Sequence, residues 1–146
     1  MKKLFSLMAI GSLVALSLAA TAQAQLPGVP VRATIPFDFI VRGKVLPAGS
    51  YEIQRINDEP SGLVLRNLNN KHEHIVFETE PMEARRISNH NVLVFNHYGD
   101  EYFLSEIVTA GEQTGRELAP TRQERTLRRE MAKNETQTET VTVALY

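Results

Sequence analysis

Residues 92–109 read VLVFNHYGDEYFLSEIVT, and this stretch decides the fold class. Val92, Leu93, Val94 and Phe95 are apolar on both faces of an extended chain, as in a central strand, and Tyr102, Phe103 and Leu104 resume the pattern. Between the two runs stand Gly99 and Asp100, the composition of a two-residue hairpin turn whose first position takes a positive φ. That turn sets a register with His97 opposite Tyr102 and Tyr98 opposite Glu101. The imidazole, phenols and carboxylates around Gly99 also have the makings of a catalytic corner, but turn chemistry alone accounts for them.

Working outward, Val31, Ala33, Ile35, Phe37, Phe39 and Val41 alternate with polar residues, the period of a half-buried strand. Pro36 lies inside this run and has no N–H for a ladder, which predicts an edge strand or a bulge. In GKVLPAGSYEI, Pro47-Ala48-Gly49 suits a three-residue hairpin turn with Gly49 left-handed, after which Tyr51 and Ile53 face the core. Further strands are expected at 63–68 and 72–79. Beyond Gly111 the composition changes. Thr121 and Glu124 have capping-box spacing, Leu127 and Met131 are four apart, and Glu124 is placed to pair with Arg128, so a short helix is expected over about 121–133, ending at Asn134. The final TVTVALY alternates again as a terminal strand at about 140–146, expected to return to the chain's own sheet. Together these elements predict a mainly β fold, an antiparallel β-sandwich or small barrel with one short C-terminal helix and a terminal strand.

Residues 1–24 have a basic start at Lys2 and Lys3, an apolar stretch broken by serines and Gly11, and Ala22-Gln23-Ala24 as a small-residue cleavage site. This pattern predicts a secretory signal peptide cleaved after Ala24, hence an exported protein, periplasmic or secreted, with residues 25–146 as a single β-domain. The chain contains no cysteine, so such a domain must be held by packing alone, and a lipid-anchored amino terminus is excluded. Without Lys2 and Lys3 the expected mature part carries 14 basic and 17 acidic residues, net −3, which points away from a nucleic-acid partner. Charge is unevenly placed: residues 116–133 hold six basic and three acidic side chains, net +3, leaving −6 elsewhere. A basic helix docking on its own acidic sheet is the expected arrangement.

The chain resembles a family of small exported bacterial β-domain proteins of uncharacterised activity, through IPFDF-VRGKVLPAGSYEI, HYGDEYFLSEIVTAGEQTGREL and the Arg/Glu-rich helix. The resemblance covers nearly all of residues 25–146, implies an envelope or secreted β-domain, and carries no functional residue with it.

All four histidines, His72, His74, His90 and His97, fall between residues 72 and 97. On an extended strand His72, His74 and Glu78 share one face, and HEHIVFE resembles the H-x-H-x3-E core of the first cupin motif, in which such residues ligate a divalent metal ion. Arg66 and Arg85 stand where that motif has flanking glycines, and no second motif follows. The alternative is a solvated outer face, because Ile75 and Phe77 form the better apolar stripe. There is no G-x-S-x-G elbow, cysteine nucleophile or glycine-rich phosphate loop. The reading that results is a monomeric, non-enzymatic binding or structural protein with an envelope or extracellular partner and no membrane span after cleavage. Its rival is a small cupin-like metal-dependent enzyme using His72, His74 and Glu78, with His97 as a further ligand.

Overall fold

The computed structural model describes residues 30–56, 59, 61–84, 87–134 and 136–146. Eleven strands and one helix follow in order: β1 (Val31–Ile35), β2 (Phe39–Val41), β3 (Lys44–Leu46), β4 (Gly49–Arg55), β5 (Gly62–Asn67), β6 (His74–Glu78), β7 (Glu80–Glu83), β8 (Val92–Tyr98), β9 (Glu101–Val108), β10 (Thr114–Glu117), α1 (Arg122–Lys133) and β11 (Glu139–Ala144). The predicted leader and its cleavage site lie outside the described residues.

One sheet has the order β1-β4-β5-β6 and the other β11-β8-β9-β10-β7, with the β2–β3 hairpin attached to β9. The sheets meet at both margins. At one, β6 passes through the buried Thr79 into β7, so a single bent run serves both sheets. At the other, Leu145 bridges Ala33, and Arg32 and Tyr146 exchange backbone hydrogen bonds of 3.0 and 2.9 Å. The result is a flattened barrel around one core, into which Ile35, Phe39, Tyr51, Ile53, Leu63, Leu65, Leu93, Phe95 and Ile107 project almost without exposure.

The β8–β9 hairpin has the expected register, His97 with Tyr102 and Tyr98 with Glu101, and Gly99 takes φ 63°. A register shift after Val94 makes Ser105 an extra residue, and its hydroxyl donates to the Val94 carbonyl at 3.0 Å. The terminal strand pairs antiparallel with β8 along its length, as its alternation required.

Two expectations about the amino-terminal region fail for a common reason. Residues 31–41 do not form one strand, because Pro36 ends β1 and the chain crosses to the other sheet before β2. Pro47-Ala48 is likewise a crossing back and not a hairpin turn: β3 pairs with β2 while β4 pairs with β1 and β5, and Gly49 is an ordinary strand residue. The tight turn lies at Arg42-Gly43, with φ 51° and 86°, the pair of left-handed conformations of a type I′ turn. Asp38 ties the two crossings together by accepting from the Ala48 N–H at 2.8 Å.

Candidate functional site

The residues expected to hold a metal do not converge. His74 and Glu78 lie on the exposed face of β6, opposite Arg66 and Gly62, with Ile75 and Phe77 turned toward the core. Four residues of extended chain separate them by roughly 13 Å between Cα atoms, whereas one ion needs its ligands at about 2 Å. His72 is off the strand, in the exposed turn that begins at Asn67. That turn is built by Asn67, whose carboxamide oxygen accepts from the N–H groups of Asn69 and Asn70 and whose Nδ2 donates to Glu73 at 2.8 Å. Among the described residues no group of three or more His, Asp or Glu side chains is placed to hold a metal ion.

His97 has a different role. Its ring stacks on Tyr102 with centroids 4.2 Å apart, and Tyr102 stacks in turn on Phe37 at 4.0 Å, an aromatic ladder that ends edge-on against Phe95. Its Nδ1 lies 3.4 Å from Glu139 Oε2 across the β8–β11 pair, an exposed contact that contributes at most about 1 kcal/mol.

The opposite face of β8 and β9 carries the stronger candidate. Because Val92 to Phe95 is apolar on both sides, the outward residues need cover as well as the inward ones. Helix α1 supplies it at one end: Leu127 and Met131 pack on Ile40, Tyr98 and Phe103. The helix is held there by Glu124, which is 5% exposed and accepts from Asn96 Nδ2 at 3.0 Å and the Tyr98 hydroxyl at 3.4 Å. This carboxylate therefore turns inward to β8, not along the helix toward Arg128. Thr121 caps the helix as expected, accepting from the Glu124 N–H at 3.2 Å. Burial raises the pKa of the Tyr98 phenol, and the Glu124 charge beside it raises it further.

At the other end the helix does not reach. There the outward face forms an open groove of about 560 Å³, floored by Val92, Val94 and Val108 and flanked by Ile87, Asn96 and Thr142. Its size is within the range of small-molecule sites, and its lining mixes aliphatic side chains with a carboxamide, hydroxyls and the Glu106 carboxylate. Comparison with protein-family models, curated proteins and solved structures finds no match to this chain. The groove was foreshadowed by one sequence signal, the two-sided apolar run at 92–95, but which half of the second face stays open depends on where the helix lands.

Proposed function

We propose that this chain is an exported, monomeric β-domain that acts by binding and not by catalysis, in the envelope or outside the cell. The observation that supports this reading is the groove on the outer face of β8 and β9, in which Val92, Val94 and Val108 stand beside Asn96, Thr142 and the Glu106 carboxylate. Such a surface suits an apolar ligand or segment bearing one or two hydrogen-bonding groups. Export is supported by the leader-like residues 1–24, and no helix among the described residues is long and apolar enough to cross a membrane.

The groove is tested by titrating the full chain with the environment-sensitive dye 1-anilinonaphthalene-8-sulfonate. Saturable 1:1 enhancement is expected in the wild type, and Thr142→Trp, which fills the groove from an exposed strand position, is expected to abolish it with little change in the melt. Equal enhancement in both proteins overturns the assignment. The metal-dependent alternative makes the contrary forecast that manganese, iron or zinc co-purifies stoichiometrically and is lost in His74→Ala. Intact mass of the exported product tests the leader, with Gln25 expected as its first residue.

A further inference from the structure

At one end of the barrel interior, which lies on the inner side of the sheet whose outer side carries that groove, two arginines face inward. Along β4 the inward positions are Tyr51, Ile53 and Arg55, and the first two are 0% and 1% exposed. Across the core, Arg116 of β10 is itself buried, at 8% exposure. A chain of hydrogen bonds links their surroundings. Arg116 Nε donates to Thr79 Oγ1 at 2.6 Å, Thr79 Oγ1 donates to the Ser61 carbonyl at 3.1 Å, and two residues after Ser61 stands Leu63, the cross-strand partner of Arg55.

Neither guanidinium is neutralised by a carboxylate among the described residues. No ion pair joins either arginine to an acid there, and the buried Nε of Arg55 has no hydrogen-bond partner. Of the described acids beside Arg55 in sequence, Glu52 meets Arg32 and Arg66 instead, and Glu59 is exposed and accepts from the Ser61 hydroxyl. An arginine cannot escape desolvation by losing its proton, so two of them facing one barrel end hold positive charge that only an anion or water can offset. The mutual effect is visible at Arg116, whose pKa is lowered first by burial and then by the charge of Arg55. Thr79, occupied both as acceptor and donor, holds Arg116 by its Nε and leaves the terminal nitrogens of the guanidinium to turn elsewhere. Arg55 is only half-buried, so this end is open to solvent on its side.

We infer that Arg55 and Arg116 form a binding site for a small oxyanion, the phosphate or carboxylate group of a ligand, with Thr79 as a positioning residue. Planar guanidinium donors match two-oxygen acceptors of this kind better than any other common group. The site is separate from the outer groove, so it stands or falls independently of the proposed function.

Thermal melts and calorimetric titrations of the full chain, with inorganic phosphate and with acetate at ionic strength matched by sodium chloride, test it. A saturable rise in Tm with either anion is expected, and which of the two acts distinguishes the head group. Arg55→Met is expected to raise Tm in chloride alone, by removing an unpaired charge, and to weaken anion binding at least about tenfold. Asp58→Asn, which removes the next acid in sequence after Arg55, is expected to leave both unchanged. Responses no larger than those of chloride, or an Arg55→Met variant that binds as well as the wild type, overturn the proposal. So does an Asp58→Asn variant that is destabilised and only then responds to phosphate, because the chain would have supplied the counter-charge itself.

Discussion

Gly99 stands at φ 63°, and nothing lies within 4 Å of the position a Cβ would occupy. The backbone alone resists a side chain there, and a β-branched one most, so Gly99→Val should cost about 1–3 kcal/mol. His97→Ala loses one face of a ring stack and an exposed carboxylate contact, and should cost less. Urea melts of the two variants decide the order, and a worse His97→Ala would mean that the histidine does something the stack does not explain. Tyr51 gives a second residue-scale forecast. Its hydroxyl donates to the Pro47 carbonyl at 2.7 Å, and burial, followed by the Glu73 charge, pushes its pKa to about 12 from 10.0. Since the folded-state value is the higher, the stabilisation is complete below pH 10 and is lost as the pH climbs toward 12. Absorbance at 295 nm should show Tyr51 titrating only with alkaline unfolding, a step that Tyr51→Phe removes. The backbone geometry of Gly99 is legible in the sequence, whereas the left-handed position expected at Gly49 falls at Arg42-Gly43. Residues were also misread where the partner came from another strand, as with the inward turn of Glu124 to Asn96.

At the scale of elements, strong periodicity was legible and weak periodicity was not. β8, β9, α1 and β11 each have an apolar repeat or a cap that fixes their kind. β7 and β10 were missed because EPME and TGRE have no alternating apolar residues; they are strands by virtue of their pairing with each other, from Glu83 with Thr114 to Glu80 with Glu117. The strand expected through His72 is shorter than its sequence suggests, because the Asn67 turn delays it to His74 and takes His72 off the face of His74 and Glu78. The helix offers the cleanest test. Thr121→Ala removes the hydroxyl that accepts from the Glu124 N–H and should cost about 1 kcal/mol. Because Glu124 holds the helix to β8, the same variant should loosen the cover over Tyr98 and Phe103, seen as faster amide exchange in β8. Faster exchange confined to the helix would show that the cap and the docking are uncoupled.

For the whole molecule, sandwich and barrel could not be separated in advance. The features that join the sheets, the bend at Thr79 and the bridge from Leu145 and Tyr146 to β1, leave no periodic trace in the chain. Closure predicts how the molecule responds to truncation. Deleting residues 140–146 uncovers β8 and breaks the ring at β1 in one step, so a marked loss of stability is expected with no change in monomer mass by size-exclusion chromatography. A full-length dimer that the deletion converts to a stable monomer would instead make β11 an exchanged strand.

The bridge has a consequence for biogenesis. Thr34 and Tyr146, whose hydroxyls lie 3.1 Å apart, are 112 positions apart along the chain, so one of the earliest strands to be made waits for the last residues described. A ribosome delivers these ends in order, and no partial product can close the ring until residue 146 has emerged. Up to that point the nascent chain is open along this margin, with the edges of β1 and β8 not yet joined by β11.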